Sequence, residues 1–368
     1  MNKSINILHL ITTLDTGGTE TTLEKYLRNS PANYKHTVIC LSGKGIIANQ
    51  LIKNKHDVIF LHLEKKYLFL IKIIKLIVLF LKLKPSTINA WMYHACFISL
   101  FLKLCPFNKS KLIWNIRNTN LSTSLNPITT VFIAKLNAYF TSLTEFIIYN
   151  SRSAMEAHTA IGYKKNKSHI IPNGFDCNVY TPKNPSGIFK NNDKKTIGYI
   201  SRYNAQKDPN TFLEAVALCT QKHKNVHFLC FGIGLDTNNK QWQKKIADLN
   251  LEMYIDSYGI TKNTKDCYSE FDYFTLSSIG ESFPNVIGEA LACGIPIIST
   301  KAGDIEEIVE DCGILVETQS PAALADAWIE ALEQTYEQRE KLSLKCRERA
   351  LEKYELNKII HLYWNCFI

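Results

Sequence analysis

The chain has 368 residues, 46% hydrophobic and 21% charged, which is too long for one small core and too apolar for a disordered segment. Its net charge of +9 is unevenly spread: residues 1–175 carry 22 Lys and Arg against 7 Asp and Glu, and the remainder carries 21 against 27. The basic half points to an anionic partner surface, phospholipid or a polyanionic substrate. The lack of an RNP pattern, zinc finger or helix-turn-helix signal speaks against nucleic acid.

The first apolar run, Ile5 to Ile11, is short and leads into Asp15-Thr16-Gly17-Gly18. It reads as a strand and turn rather than a signal peptide. Strands are predicted at 5–10, 36–41, 57–62, 86–91, 111–115 and 146–149. After the polar stretch Thr181 to Lys195 the pattern restarts, with strands at 195–200, 225–231, 252–258, 272–276 and 295–299. Helix-period segments such as Thr19–Asn29, Pro209–Lys222 and Pro321–Glu333 lie between them. Such alternation predicts two α/β domains with parallel sheets and crossover helices. Leu342 to Ile368 reads as a long or broken helix. The 11 Cys form no C-x-x-C pair and show no zinc-type spacing, so they read as reduced, mostly buried thiols of a cytoplasmic protein.

The segment 65–84 is rich in Leu, Ile and Phe but interrupted by Lys, too often to span a bilayer. On a helix Lys65, Lys72, Lys75 and Lys82 share one side. The helix reads either as an interfacial element held by apolar burial and anionic lipid or as a crossover helix with a solvated Lys stripe.

Three segments carry candidate chemistry. Ser277 to Pro296 runs from a strand end through a Ser/Gly loop into a helix, with Pro284 suited to its first turn and Gly294 ending it. A helix N-terminus after a parallel strand offers free amides and positive potential to phosphate or sugar hydroxyls. Glu281 and Glu289 flank that turn and can accept hydrogen bonds from two diols. Arg202 and Lys207, past another strand, form a fork and a point charge suited to a diphosphate. Gly17-Gly18 lets backbone approach a ligand at a third strand end. Phe231-Gly232-Ile233-Gly234 is half a dinucleotide fingerprint, with Thr237 where the third Gly would stand. His9 reads as a core histidine. His223 and His227 read as surface or packing residues.

Together these residues resemble the retaining glycosyltransferases of family 4. The resemblance rests on Gly17-Gly18-Thr19-Glu20, Ile171-Pro172-Asn173-Gly174-Phe175-Asp176, Arg202 with Lys207, and Glu281-x7-Glu289 with Phe283-Pro284-Asn285 between the two acids. Trp91-Met92-Tyr93-His94, Ile116-Arg117-Asn118 and Asn150-Ser151 further resemble the subset that builds bacterial O-antigen and capsule.

The resemblance implies a GT-B fold: a Rossmann-like acceptor domain at 1–175, a Rossmann-like nucleotide-sugar domain at 176–350 facing it across a cleft, and a C-terminal helix at 351–368 returning to the first domain. It implies that Glu289 binds ribose hydroxyls, and that Glu281 holds the donor sugar with the Phe283, Pro284, Asn285 and Val286 backbone. Arg202 and Lys207 would neutralise the leaving diphosphate, Gly17-Gly18 would face the phosphates, and the loop at Tyr258-Gly259 would contact the base. His94 would lie near the donor sugar or the acceptor, and Arg117 and Asn118 near the acceptor, with bracing the alternative role for Arg117. The sequence has no DxD, and the resemblance implies metal-independent transfer without a cofactor. The partners implied are a nucleotide sugar, of UDP by family analogy, a lipid-diphosphate-linked saccharide, and the cytoplasmic face of the inner membrane. The rival readings are a nucleotide-sugar epimerase of the same fold and a nucleotide-binding protein without turnover.

Overall fold

The computed structural model describes residues 5–64, 68–123, 126–182, 194–261 and 264–367. They divide into two compact units, Met1–Asn173 with Asn357–Ile368, and Gly174–Leu356. The boundaries thus lie at 173/174 and 356/357, close to those drawn from sequence at 175/176 and 350/351. Most of the expected linker, 183–193, lies outside the described residues.

The first unit alternates β1 (Ile5–Ile11), α1 (Gly18–Arg28), β2 (Tyr34–Cys40), α2 (Ile46–Lys53), β3 (Asp57–Phe60), α3 (Phe69–Leu83), β4 (Thr87–Trp91), α4 (Met92–Lys103), β5 (Lys111–Ile116), α5 (Ile128–Ala138), β6 (Phe146–Tyr149), α6 (Arg152–Ala160) and β7 (Ser168–Ile170). The strands form one sheet in the order β3-β2-β1-β4-β5-β6-β7, every pairing parallel. Central strands are covered on both faces, so β4 is buried throughout and β1 nearly so. This is why they read as mostly apolar runs without alternation. The edge strand β7 was not anticipated. It has three residues, and only Ile170 is aliphatic.

One polar row crosses this apolar sheet. His9, Asn89 and Asn115 are register partners on β1, β4 and β5, and all three are fully buried. Asn115 donates to Asn89 Oδ1. Asn89 Nδ2 donates to His9 Nδ1 at 3.1 Å and to Tyr363 Oη at 2.7 Å. Because His9 Nδ1 accepts, its Nε2–H is the donor to His36 Nδ1 at 3.0 Å, and His36 in turn donates to Ser30. The members of the row thus satisfy most of one another's polar groups, as burial requires, and Asn115 Oδ1 is left without a hydrogen-bond partner.

The second unit alternates β8 (Lys195–Ile200), α7 (Pro209–Lys222), β9 (Val226–Phe231), α8 (Lys240–Asp248), β10 (Ile255–Gly259), α9 (Thr264–Tyr268), β11 (Tyr273–Leu276), α10 (Asn285–Ala292), β12 (Ile297–Thr300), α11 (Ile305–Val309), β13 (Gly313–Val316), α12 (Pro321–Leu332) and α13 (Tyr336–Lys353). Its parallel sheet runs β10-β9-β8-β11-β12-β13. Trp328 of α12 packs against Phe228 and Phe212, with ring centroids 4.8 and 5.7 Å apart, and its indole N–H reaches Thr275 Oγ1. The half-exposed edge strand β13 was also not anticipated.

The expected C-terminal helix is broken. A capping box of Thr335 and Gln338 starts α13, and the chain straightens at Tyr354-Glu355 before α14 (Leu356–Asn365). At the break Glu355 bridges Phe175: Phe175 N donates to Tyr354 O at 2.8 Å, and Leu356 N donates to Phe175 O at 2.9 Å. The segments by which the chain enters and leaves the second unit therefore run side by side. Tyr363 and Trp364 of α14 then pack against Tyr26 and Tyr34 in the first unit.

All 11 cysteines are free. Nine are buried, and Cys105 and Cys366 are half-buried. No described helix is long and apolar enough to cross a membrane.

Candidate functional site

In each sheet the chain leaves two neighbouring central strands in opposite directions, and an open parallel sheet binds ligands beyond the carboxyl ends of such a pair. In the second unit the pair is β8 and β11. Past β8, Asn204 Oδ1 accepts Lys207 N at 3.0 Å and shapes a 3-10 turn, Ala205–Lys207. Asp208 follows at φ +44°, a left-handed conformation, and its carboxylate caps α7 by accepting Thr211 N and Oγ1 at 3.2 and 2.6 Å.

The loop past β11 is stitched to this turn. The Ser277 hydroxyl lies 2.9 Å from the carbonyls of both Lys207 and Asp208. Ile279 N donates to Gln206 O at 2.9 Å, and Gln206 Nε2 donates to Gly280 O at 2.6 Å. The stitching brings Lys207 onto Glu281 as a direct ion pair, and Ser278 Oγ donates to the same carboxylate oxygen at 2.7 Å. Both side chains are mostly buried, so neither charge is left to water alone. Arg202, in the same loop, is exposed and makes no ion pair or hydrogen bond through its side chain to another described residue.

Glu289 lies eight residues past Glu281, about one turn into α10, and is buried. Tyr268 of α9 donates to its Oε2 at 2.8 Å. Burial, then the Glu289 charge, holds the Tyr268 phenol well above its ordinary range, and the same causes raise Tyr180 beside it. The phenols therefore stay protonated as donors. Pro284 is the N-cap of α10 rather than part of its first turn, Asn285 opens the helix, and no side chain caps it. Val286 lies in the first turn. Phe283 is turned inward, stacked on Phe175 and edge-on to Tyr354, so its ring is part of the core and its backbone is what the loop presents.

Tyr258 and Gly259 close β10 instead of forming a separate loop. The exposed Tyr258 ring stacks on Phe231, with centroids 4.8 Å apart and planes 10° from parallel. Gly232 N donates to Gly259 O at 2.7 Å, and Tyr203 N donates to Ile233 O at 2.8 Å. These bonds tie β9, β10 and the β8 loop together. They also explain the half fingerprint: Gly232 sits at φ +127°, and a Cβ there would stand 1.7 Å from the Ser201 carbonyl oxygen. Its glycine is needed for this approach.

In the first unit the corresponding pair is β1 and β4. Past β1, Gly17 is the extended N-cap of α1 and Gly18 its first residue, with no side chain capping the helix. At the end of β4, Met92 adopts φ +66°, a conformation that costs a non-glycine residue energy and collects at functional turns. Two residues on, His94 is half-buried. Burial pulls its imidazole below the ordinary range, so it is neutral at pH 7, and its side chain has no hydrogen-bond partner among the described residues.

Past β5, the Arg117 guanidinium lies 5.1 Å from the Trp91 ring and 5.6 Å from that of Tyr26. It also donates to Asn173 Oδ1. That geometry braces the loop. Asn118 closes an Asx turn on Asn120, accepting its N–H at 3.2 Å. Gly17, Gly18, His94, Arg117 and Asn118 thus collect at the carboxyl end of one sheet, and Arg202, Lys207, Glu281 and Glu289 at that of the other.

Sequence reasoning did not single out Gln206, Tyr268 or Ser278 as site residues. Each acts by holding another residue 3 to 74 positions away, and no local motif reports such contacts.

Comparison with known proteins agrees with this fold. The model of glycosyltransferase family 4 matches residues 16–179, and that of the group 1 glycosyl transferases matches residues 194–334. The chain belongs to the family 4 glycosyltransferases of GT-B fold. Among solved structures, Anabaena HepE in complex with UDP superposes with a TM-score of 0.83 at 20% identity, over 98% of this chain and 99% of that one. TarM gives 0.80 at 13% identity, over 100% and 99%.

By sequence, an uncharacterized glycosyltransferase of Methanocaldococcus jannaschii is 27% identical over 56% of this chain and 52% of its own length. The N-acetyl-alpha-D-glucosaminyl L-malate synthase of Bacillus anthracis is 31% identical over 32% of this chain and 31% of its own. The chain spans about half the length or less of these curated relatives.

Proposed function

We propose that this family 4 member moves a hexose or N-acetylhexosamine, with retention of anomeric configuration, from a UDP-sugar to a lipid-diphosphate-linked saccharide during assembly of a bacterial surface polysaccharide, O-antigen or capsule. The acceptor's lipid places the enzyme peripherally at the cytoplasmic face of the inner membrane. The observation that carries the reading is the second unit's constellation: an exposed Arg202, the Lys207–Glu281 pair and the uncapped start of α10 share the β8/β11 carboxyl end. HepE has been solved with UDP-glucose, which supports UDP as the nucleotide.

The chemistry follows from charge. Cleavage of the bond between the anomeric carbon and phosphate builds positive charge on the sugar and negative charge on the diphosphate. Arg202, Lys207 and the α10 amides stabilise the leaving diphosphate without a metal ion. Glu289, oriented by Tyr268, accepts the ribose hydroxyls. Glu281 and the backbone at 283–286 hold the sugar, and Tyr258-Gly259 meets the base. The Gly17-Gly18 amides approach the phosphates. His94 lies near the reacting sugar, with Arg117 and Asn118 toward the acceptor. The acceptor hydroxyl attacks from the face the diphosphate leaves and passes its proton to that diphosphate.

Calorimetry with UDP-, GDP- and dTDP-sugars in the presence of a metal chelator tests the donor, and turnover on a lipid-linked acceptor tests the transfer. Binding of a UDP-sugar without metal is expected. Failure of all three donors to bind would reject the reading.

A further inference from the structure

α3 is apolar on two sides. Among its described residues only Ile73, Leu76 and Phe80 are buried on the sheet, while Leu70 is 75% exposed, Ile74 61%, and Val78 and Leu81 about half exposed. Their i, i+4, i+8, i+11 spacing makes one continuous stripe. α4 packs against both α3 and α5, so the three helices share a face of the first sheet. α5 carries a second stripe at the same spacing, with Ile128 74% and Phe132 64% exposed and Tyr139 beyond them. Exposed apolar stripes on two helices of one face mark an interaction site.

The charge pattern says what covers it. Between Glu64 and Glu145 the sequence contains no carboxylate side chain, yet it contains eleven Lys and Arg. Lys75 and Lys82 stand exposed beside the α3 stripe, and Lys135 within that of α5. A second copy docked symmetrically through the same face would set these cations against one another, with no acid in the whole stretch to pair them. An anionic bilayer supplies both a hydrocarbon boundary for the stripes and phosphates for the ammonium groups. α3, at 15 residues, is about 22 Å long, short of the roughly 30 Å hydrocarbon core, so it lies on a membrane rather than crossing it.

We propose that the α3–α5 face docks on an anionic phospholipid surface, with both stripes in the interface. For its purpose this rests on the lipid-linked acceptor proposed above, but its readout is independent of transfer. The full chain is floated with vesicles of pure phosphatidylglycerol and of pure phosphatidylcholine. Two double variants at exposed positions, Leu70→Glu/Ile74→Glu on α3 and Ile128→Glu/Phe132→Glu on α5, are floated alongside. Glutamine versions of both pairs are floated too, and thermal melting checks the fold.

Wild type is expected to bind phosphatidylglycerol at least about tenfold better than phosphatidylcholine, and each pair of substitutions is expected to lower that binding by about tenfold with UDP affinity unchanged. Equal binding to both lipids would overturn the proposal. So would wild-type flotation by the α5 pair, or a wild-type dimer in sedimentation that either pair dissociates. Loss of UDP binding with lipid binding intact would strike the transfer reading and leave the docking face standing.

Discussion

The two sheets share a strand order, yet their ligand-binding ends are built differently. In the second unit the β8 and β11 loops are tied by hydrogen bonds and an ion pair, so charges that would meet a diphosphate are positioned before it arrives. In the first unit the same end holds a strained Met92 and a His94 whose side chain has no hydrogen-bond partner among the described residues. Buried imidazoles also separate the units. His9, His36, His56, His94 and His158 of the first are all pushed down by burial, and His36 and His158 reach about 4. In the second, His223 and His227 sit in pairs with Glu333 and Asp256. One unit carries a ready-made ion pair at the carboxyl end of its sheet, and the other holds imidazoles that burial keeps neutral.

The largest expected effect breaks the prepared end. Arg202→Ala removes an exposed cation that holds nothing else in place. Transfer should fall by about a hundredfold or more, while the melting temperature stays within about 1 °C. Retained transfer in a steady-state assay would remove Arg202 from the site.

Lys207→Ala should reduce transfer as severely and also destabilise the second unit by about 3 kcal/mol, because Glu281 is left buried without its partner. Urea unfolding of the double variant Lys207→Ala/Glu281→Gln should recover much of that stability without recovering activity. If the single variant unfolds like wild type, the pair contributes nothing to preparation.

The first unit should show itself in acid. Burial, and then the neighbouring His56, pulls the His36 imidazole from its ordinary 6.5 down to about 4. Below pH 6.5 the unfolded chain takes up a proton that the folded one refuses. Stability is therefore full above 6.5 and falls as pH drops toward 4, by up to about 3 kcal/mol from this residue. Calorimetric melting between pH 7 and 4.5 should show the first unit's transition moving down faster than the second's. His36→Gln should flatten that slope.

The smallest effect sharpens the account of Glu289. Tyr268→Phe deletes one hydrogen bond to its carboxylate, worth about 1 kcal/mol. Donor affinity should weaken about fivefold, with kcat nearly unchanged. A change in kcat alone would point to a different role for the phenol.

Much of the architecture was legible because central parallel strands are long apolar runs between amphipathic helices. The edge strands β7 and β13 were not, since three or four half-exposed residues carry no periodicity. Arg202, Lys207, Glu281 and Glu289 could be named because a strand end, a turn and a helix start are local signals. That Lys207 and Glu281 touch could not be read, nor that Asn89 donates hydrogen bonds to His9 and Tyr363. Such pairings depend on sheet register across 74 to 274 residues. Phe283 was read as part of the ligand loop because its position in the motif says nothing of which way the ring turns.

That ring leads to the chain crossing. Phe175 stacks on it, and Gly288 leaves the room, since a Cβ there would stand 2.0 Å from the Phe175 ring. The helix that bears Glu289 therefore rests directly on the paired segments where the polypeptide enters and leaves its second unit. A side chain at position 288 would press on the Phe175 ring and, through the Phe175–Glu355 bridge, on both paired segments at once.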